Sequence, residues 1–396
     1  MQYDFDQHID RSNTNALAEE GFNEYLFGET NISAQSQVLL PLWVADMQFA
    51  TALPIIEAMQ DRLTHPIFGY TANFNDRLYD SFNQWASRRY GWSIEREQMQ
   101  VSLGVIPALY SLVDLFCRDG GKVLTLTPAY GFFLKAAQHH GRDLITSPLI
   151  RRDGRMVIDF DDFTRKAADP KVRLFFLCHP HNPTGRRWTD SELRQLVEIC
   201  TAHDICVVSD EIHCDLLRSG LTHTPLAKLF PDHRNIVTCM APSKTFNLAG
   251  LMTAIVVITD PFVRAAWRER HFPFANPLGL AAATAAYGHG EEWLEQLLPY
   301  LDSNFATLQE MLAERLPSAH FDIPEASYLA WVDLSAYFEA DMNLTRYFLK
   351  HAGVIAEGGE MFVDNAKGML RLNVACPKDR LVAAISRISD AVLVAK

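Results

Sequence analysis

The sequence has no long hydrophobic run, no concentrated positive charge and no C-x-x-C motif, and each absence excludes a class of protein. No apolar run approaches the roughly 20 residues that a membrane-spanning helix needs. The formal net charge is −12, and the longest basic clusters are pairs of arginines, too short to follow a nucleic-acid backbone. The seven cysteines are an odd number, and we expect reduced, mostly buried thiols in a cytosolic protein.

Internal repeats and low-complexity tracts are also absent, and the N-terminus has neither a basic segment nor an apolar stretch, so we expect no secretory signal. The composition that remains is typical of a globular protein, with 396 residues, 48% of them hydrophobic and 21% charged. This length predicts about two or three domains at about 150 residues each. These features favour a soluble cytoplasmic enzyme, and any anionic ligand must be held by local groups.

Short apolar runs alternate with amphipathic stretches between about residues 99 and 259, which predicts an α/β domain with a mainly parallel sheet. The segment Glu192–Cys200, for example, has apolar residues at helical spacing. Six runs are predicted to be strands: Met99–Ser102, Lys122–Leu126, Leu174–Cys178, Ile205–Ser209, Ile236–Cys239 and Ala254–Ile258.

The two flanks predict a second, smaller α+β domain. Beyond about residue 285 there is a long helical stretch, and the sequence then predicts two strands and a final helix, at Tyr328–Val332, Met369–Val374 and Asp379–Val394. We expect an N-terminal arm that joins the small domain, a large α/β domain and a small C-terminal α+β domain, at residues 1–45, 46–284 and 285–396. The second boundary falls near 275–285.

Chemically useful residues follow the predicted strands at the edge where their carboxyl ends meet. In open α/β sheets, ligands bind just beyond these ends. The segments bring a glycine turn before a helix, an aromatic ring, an amide, a carboxylate and a lysine to one edge. They are Leu103–Pro107, Pro128–Tyr130, His179–Gly185, Asp210–His213 and Ala241–Asn247. The sequence therefore predicts a binding site at this edge.

Together these residues resemble the fold-type-I enzymes that use pyridoxal phosphate. Asn182-Pro183-x-Gly185, Asp210-x-x-His213 and Ser243-Lys244 occur in the order and spacing of that superfamily. Further segments narrow the resemblance to the MalY/PatB-type C–S lyases, or cystathionine β-lyases, over nearly the whole chain. These segments are Leu42–Met47, Phe68–Thr71, Asp210–His213, Ser243–Leu251 and Arg371–Asn373.

The resemblance implies an aspartate-aminotransferase-like fold and a role for each residue toward pyridoxal phosphate. Lys244 would hold the cofactor covalently and act as acid and base at the substrate Cα. Asp210 would keep the ring nitrogen protonated, and Asn182 would donate a hydrogen bond to the ring 3′-oxygen. Tyr130 would stack on the ring. The leaving thiolate needs a proton from Lys244 or from a nearby tyrosine, and Tyr130 is the candidate for that tyrosine. His213 completes the groups expected around the ring.

The resemblance also implies how the phosphate and the substrate are held. Backbone N–H groups of Val105 and Ile106 at a helix start would bind the phosphate, because the helix dipole favours an anion there. Ser243 is a further donor. Tyr70 would reach the phosphate from a neighbouring subunit, which makes a homodimer the expected active form. Arg371 would bind the substrate α-carboxylate through two parallel hydrogen bonds.

Each of these residues also has a simpler interpretation. A lysine after a strand is ordinarily exposed to solvent, and Asp210 would serve as a helix N-cap. Asn182 favours a turn before a proline, and Tyr130 would be an ordinary core aromatic. Arg371 would form an ion pair on an edge strand.

The residues Cys178-His179-x-His181 and His213 raise the question of a metal site. Their spacing is not that of a familiar zinc site, and no distant partner is evident, so we expect no metal.

Two departures separate the sequence from a typical aminotransferase. Many fold-type-I aminotransferases have an arginine eight positions after the lysine, where this sequence has Met252. They often have a serine three positions before the lysine, where this sequence has Ala241. The segment Tyr130–Phe133 also lacks a proline that is common after the tyrosine, which leaves the shape of the substrate pocket open.

The expected function is therefore that of a pyridoxal-phosphate-dependent β-lyase. It would cleave L-cystathionine or related L-cysteine S-conjugates to pyruvate, ammonia and a thiol, and the physiological sulfur substrate stays open. Two alternatives remain. One is an aminotransferase on the same scaffold, and the other is a regulatory protein that restrains a transcriptional regulator and retains residual lyase activity. Neither a nucleic acid nor a membrane is an expected partner.

Overall fold

The computed structural model describes residues 1–28, 38–72, 75–152, 154–272, 274–364 and 366–394. Residues 29–37 of the predicted N-terminal arm lie outside the described residues. The strands are β1 (Leu40–Pro41), β2 (Met99–Ser102), β3 (Lys122–Thr127), β4 (Leu144–Pro148), β5 (Ile150–Arg152), β6 (Arg155–Val157), β7 (Val172–Cys178), β8 (Cys206–Asp210), β9 (Ile236–Met240), β10 (Ala254–Ile258), β11 (Leu329–Asp333), β12 (Val354–Ile355), β13 (Glu357–Gly358) and β14 (Met369–Asn373).

The α-helices of the described residues lie before, between and after these strands. They are α1 (Phe22–Phe27), α2 (Leu53–Thr64), α3 (Asp76–Tyr90), α4 (Val105–Phe116), α5 (Gly131–His139), α6 (Phe160–Ala167), α7 (Asp190–Ala202), α8 (Leu226–Leu229), α9 (Pro242–Thr245), α10 (Pro261–Arg270), α11 (Pro277–His289), α12 (Glu291–Arg315), α13 (Leu344–Ala352) and α14 (Lys378–Val394).

A seven-stranded sheet in the order β2-β10-β9-β8-β7-β3-β4 forms the centre of the larger part. β10 runs antiparallel to both of its neighbours, and the other pairings are parallel. All six predicted strands are present, and every residue of β8, β9 and β10 is buried, because helices cover both faces of such a sheet. The prediction of an α/β fold with a mainly parallel sheet is confirmed.

One strand of this sheet, β4, was not predicted. It lies at the edge beside β3, and only one of its five residues is fully buried. Its sequence is therefore less apolar than that of the central strands, and the apolar pattern gave no signal for it. The helix predicted around Glu192–Cys200 is present as α7, where Thr189 and Glu192 form a capping box at its start.

A second, three-stranded antiparallel sheet in the order β11-β14-β13 forms the smaller part. The two predicted strands and the final helix are present as β11, β14 and α14, with ends within one residue of the prediction. The short strand β1 pairs in parallel with β12, so the N-terminal segment joins this part of the chain. The domain boundaries near residues 45 and 285 stay predictions.

The cysteines, the helices and the potential metal ligands bear on three further expectations. All seven cysteines are free and buried, which agrees with the expectation of buried thiols. Within the described ranges, no helix is both long and apolar enough to cross a membrane. The same residues contain no group of three or more potential ligands arranged to hold a metal ion.

Candidate active site

The predicted site residues, with the exception of Tyr70, line one cavity at the carboxyl edge of the central sheet. The cavity has a volume of about 200 Å³. It lies where β2, β3, β7, β8 and β9 end, because each strand is followed by a turn that crosses this edge. The predicted residues that line it are Val105, Ile106, Tyr130, Asn182, Asp210, His213, Ser243, Lys244 and Arg371.

One end of the cavity is built to hold an anion. Gly104 has φ of 129°, a conformation that an L-residue rarely adopts, and it turns the chain from β2 into α4. The Ser102 hydroxyl donates a hydrogen bond to the Gly104 carbonyl at 2.8 Å, which fixes the turn. The first N–H groups of α4, from Val105 and Ile106, have no acceptor one turn earlier and are free to bind a phosphate.

Asp210 is the last residue of β8 and is 7% exposed. The Ile212 N–H donates a hydrogen bond to its carboxylate at 3.2 Å. Burial raises the pKa of Asp210 to about 7, and the nearby Lys244 opposes that rise. Turns rather than an α-helix follow this strand, so the interpretation of Asp210 as a helix cap is wrong. A buried carboxylate of this kind favours a cationic partner such as a protonated ring nitrogen.

Lys244 lies in the short helix α9, directly after β9, and its side chain points into the cavity. Its Nζ donates a hydrogen bond to the carbonyl oxygen of Ala45 at 2.6 Å. Burial, together with the positive charge of Arg371, lowers the pKa of Lys244 to about 8. The interpretation of Lys244 as a solvent-exposed lysine is therefore wrong, and about a tenth of its amine is unprotonated at pH 7, far more than for a lysine with the ordinary pKa.

Arg371 lies in β14 and is 2% exposed. Its Nη1 donates to Asn182 Oδ1 at 3.2 Å, and its Nη2 donates to the Trp43 carbonyl at 3.0 Å. The guanidinium also forms an ion pair with Glu357. An ion pair is thus present, as the simpler interpretation expected, but β14 is the central strand of its sheet and not an edge.

The segment from Trp43 to Ala45 lines the cavity, and its Ala45 carbonyl accepts the hydrogen bond from Lys244. Its carbonyl groups accept hydrogen bonds from side chains of both parts of the chain. Tyr328 donates to Ala45 at 2.9 Å, and Asn373 donates to Val44 at 2.8 Å. The sequence showed these residues only as part of a resemblance, because a backbone carbonyl leaves no mark in the residue types.

Three aromatic residues border the cavity. Tyr130 precedes α5, and its ring centroid is 5.3 Å from that of Phe132. Burial raises the pKa of Tyr130 well above its ordinary value, so its hydroxyl keeps its proton. Tyr25 of α1 and Trp43 also line the cavity, with ring centroids 5.3 Å apart. Sequence reasoning missed Tyr25 and Glu357, because neither stands at the end of a predicted strand.

One of the two departures from the aminotransferase pattern lies at the cavity. Met252 lines the cavity, so a thioether occupies the position where an arginine was considered. Among the described residues that line the cavity, Lys244 and Arg371 are the only lysine and arginine. The charge of a phosphate must therefore be met mainly by N–H and hydroxyl donors.

Two of the histidines that raised the question of a metal, His179 and His181, are buried and form hydrogen bonds outside the cavity. Burial lowers the pKa of His179 and of His181 to about 3. His181 Nδ1 contacts the Thr184 hydroxyl at 2.8 Å, and His179 Nε2 contacts the Thr224 carbonyl at 3.2 Å. These hydrogen bonds give both rings a structural role in the turn after β7.

Tyr70 lies apart from the cavity and is 92% exposed. Its ring centroid is 4.8 Å from that of Phe274. Other large apolar side chains are exposed beside it in the sequence and around Phe274, namely Ile67, Phe68 and Phe272. The structure therefore does not bring Tyr70 into the site of its own chain.

Comparison with known proteins agrees with this geometry. The model of the family described as aminotransferase class I and II matches residues 34–388. The chain is 38% identical to cystathionine beta-lyase PatB of Bacillus subtilis over 392 residues, which cover 98% of this chain and 99% of PatB. It is 30% identical to protein MalY of Escherichia coli, with 89% of this chain and 92% of MalY covered.

A solved structure shows the same similarity in three dimensions. The pyridoxal-phosphate-bound C–S lyase of Staphylococcus hominis superposes with a TM-score of 0.96 and 42% sequence identity. The match covers 99% of this chain and 98% of that structure.

Proposed function

The chain belongs to the aminotransferase class I and II family, in the group that includes PatB and MalY, and we propose that it is a pyridoxal-phosphate-dependent C–S β-lyase. The observation that carries this proposal is the single cavity that contains the Lys244 amine, the Asp210 carboxylate and the Arg371 guanidinium. These three groups match an aldehyde cofactor, its ring nitrogen and an amino-acid carboxylate.

The cofactor is pyridoxal phosphate, and the donor set of the cavity fits it. Asp210 supplies a buried carboxylate for the ring nitrogen, and the N–H groups at the start of α4 supply donors for the phosphate. Asn182, whose oxygen accepts from Arg371, offers its amide nitrogen to the ring 3′-oxygen. When bound, pyridoxal phosphate supplies an electron-withdrawing ring that stabilises negative charge at the substrate Cα.

The substrate is proposed to be an L-cysteine S-conjugate such as L-cystathionine. Arg371 binds the α-carboxylate and so fixes the Cα beside the Lys244 amine. The depressed pKa of Lys244, lowered to about 8 by burial, makes its Nζ a base near neutral pH. Asp210 would hold a proton at the ring nitrogen of the bound cofactor through charge attraction.

Two proton transfers then complete the cleavage of the C–S bond. Lys244 Nζ removes the Cα proton, and the β-thiolate leaves as the electrons move toward Cβ. The departing sulfur accepts a proton from Lys244 or from Tyr130, whose hydroxyl keeps its proton because burial raises its pKa. Hydrolysis of the remaining three-carbon fragment gives pyruvate and ammonia.

The test is to supply the purified holoenzyme with L-cystathionine and several S-substituted cysteines and to measure pyruvate and free thiol. The lyase proposal predicts that both products form in equal amounts. An enzyme that holds pyridoxal phosphate and releases no pyruvate from any of these compounds contradicts the proposal. Transfer of the amino group from L-alanine to a keto acid at a comparable rate favours the aminotransferase alternative.

We also propose a homodimer in which Tyr70 completes the site of the neighbouring subunit. The support is the exposed aromatic group around Tyr70 and Phe274, since large exposed apolar patches mark interfaces. Mixing subunits that carry Tyr70→Ala with subunits that carry Lys244→Ala provides the test. If Tyr70 acts across the interface, hybrid dimers contain one intact site, and activity returns to at most about a quarter of the wild-type value.

The contradictory result for the dimer proposal is activity that does not exceed the sum of the two unmixed variants, although hybrid dimers form.

We also propose a cytoplasmic location for the protein. It is supported by the seven free, buried thiols, which are typical of a reducing compartment. Neither nucleic acid nor membrane is a proposed partner.

A further inference from the structure

The ion pair between Glu357 and Arg371 is fixed by the register of the smaller sheet. The two residues are direct partners across the antiparallel pair β13–β14, which places their side chains side by side on one face. Both are buried, with 8% and 2% of their surface exposed. The Gly358 N–H donates to the Thr345 hydroxyl at 2.8 Å, which holds β13 in place.

The hydrogen bonds of Arg371 leave little capacity for a second carboxylate. Nη1 donates to Asn182, and Nη2 donates to the Trp43 carbonyl and lies against Glu357. Nε is buried and has no hydrogen-bond partner among the described residues. A bidentate grip needs two parallel N–H groups on one edge of the guanidinium, and Glu357 occupies part of that set.

We propose that Glu357 competes with the substrate for Arg371, and that a substrate carboxylate binds there only as Glu357 takes up one proton from solvent. This inference rests on the proposed function, specifically on Arg371 as the residue that binds the substrate carboxylate. Glu357 is then a positioning and specificity residue, since it acts through Arg371 and not on the reacting bonds.

The physical reason is the repulsion between two carboxylates that share one guanidinium. When two like charges meet in a buried site, one of them becomes protonated, because the site cannot stabilise both. Protonated Glu357 no longer attracts Arg371 and can donate a hydrogen bond to the incoming carboxylate. One positive and one negative charge remain, so the net charge is zero for Arg371 and Glu357 before binding and for Arg371, Glu357 and the bound carboxylate together after it.

The groups around Glu357 support this direction of proton transfer. Burial raises the pKa of Glu357 above its ordinary value, and the exposed Glu360 adds to the rise. Arg371 and Lys244 oppose it. A substrate carboxylate at Arg371 removes most of the effect by which Arg371 keeps the pKa of Glu357 low, so this pKa rises further. The tyrosines that face Glu357 from α1 and from the start of α5, Tyr25 and Tyr130, are neutral near pH 7 because burial raises their pKa values.

The consequence is that carboxylate binding and protonation are linked. At a pH above the pKa of Glu357 in the unliganded site, each bound carboxylate brings one proton with it. The affinity then falls by about tenfold per pH unit, whereas a site without this glutamate shows no such dependence.

The test is isothermal titration calorimetry of the holoenzyme with 3-(methylthio)propanoate, a thioether carboxylate that lacks an amine and undergoes no covalent reaction. Titration in buffers with small and large ionisation enthalpies at one pH gives the number of protons taken up. We expect close to one proton per bound carboxylate in the wild type at pH 8 and none in Glu357→Gln. The affinity of Glu357→Gln should not change with pH over the range in which that of the wild type falls.

Two further variants keep the test decisive. Glu357→Asp retains a carboxyl group and should retain proton uptake. Glu360→Gln removes the same charge three residues away, where the side chain accepts from the Thr345 N–H and not from Arg371, and should also retain it. Retained uptake in Glu357→Gln, or binding without uptake in the wild type, overturns the inference while leaving the role of Arg371 intact.

The failure of the proposed function gives a different result. If Arg371 does not bind the carboxylate, 3-(methylthio)propanoate binds equally to the wild type and to Arg371→Lys, or binds to neither. That outcome removes the basis of the inference together with the proposed role of Arg371. Proton uptake is read from heats of binding, so it does not depend on turnover of the enzyme.

Discussion

Replacing Arg371 by methionine separates the structural role of this arginine from its role in binding substrate. Methionine has a similar length and fills the space, but it leaves the buried carboxylate of Glu357 without its counter-ion. Removing one partner of a buried ion pair costs about 3–5 kcal/mol of folding free energy. The Trp43 carbonyl and Asn182 Oδ1 each lose a donor as well, at about 1–3 kcal/mol if they stay buried.

The second variant, Arg371→Met with Glu357→Gln, tests the origin of that loss. If the unpaired charge dominates, the double variant is more stable than Arg371→Met by about 3 kcal/mol, because the neutral amide needs no counter-ion. The single variant should also regain stability in acid. Without Arg371, the pKa of Glu357 in the folded chain lies above its unfolded value, so stability is lost as pH rises through this interval and is recovered below it.

Lyase activity should follow a different pattern from stability. Two charge-assisted hydrogen bonds to the substrate carboxylate, at about 1.5–3 kcal/mol each, correspond to a loss of roughly 10²–10⁴ in kcat/KM. Both variants should show this loss. Urea unfolding followed by tryptophan fluorescence, and pyruvate release, are the two measurements. If Glu357→Gln fails to stabilise Arg371→Met, the carboxylate is not an uncompensated buried charge, and our account of the pair is refuted.

Three other predictions concern the cofactor site. Lys244→Ala should lower pyruvate release by several powers of ten and remove the absorbance of lysine-bound cofactor, with pyridoxal phosphate still held non-covalently. Near-normal turnover of this variant contradicts the assignment of Lys244 as the catalytic lysine. Burial lowers the pKa of Lys244 to about 8. The rate at which the apoprotein captures pyridoxal phosphate should therefore rise about tenfold per pH unit below pH 8 and level off above it. A rate that continues to rise beyond pH 9 shows that Lys244 has the pKa of an ordinary lysine. Gly104→Ala forces a φ of 129° on a residue with a side chain, at a cost of about 1–3 kcal/mol, and should speed the loss of cofactor on dialysis. Gly250→Ala is the matched control, because a Cβ added at Gly250 meets no atom within 4 Å.

The fold class and most of the site were predictable because they depend on local patterns. Strands buried on both faces are apolar nearly throughout, so β8, β9 and β10 were visible in the sequence. In a sheet of this kind the carboxyl ends of parallel strands meet at one edge. The positions of Asp210 at the end of β8 and of Lys244 after β9 therefore followed from the order of elements alone.

Such patterns did not predict the edge strand β4. Its outer side is half-exposed, so its residues need not be apolar, and the period-two and apolar-run signals both disappear. The simpler interpretation of Lys244 failed for a related reason. Whether a residue after a strand is exposed depends on what covers the strand ends, and here that cover is the distant segment from Trp43 to Ala45.

The sequence by itself thus determined the buried central strands, their succession along the chain and the residue types at one sheet edge, since each depends on near neighbours in the chain. Only the tertiary structure decided which groups those residues contact. The Ala45 carbonyl that holds Lys244 is 199 residues away in the chain and has no signature in the residue type. Glu357 meets Arg371 because β13 and β14 pair in one register, and a shift of one residue would turn the glutamate to the opposite face. Contacts of this kind depend on the geometry of packing between separate segments, and the sequence specifies that geometry only through the complete fold.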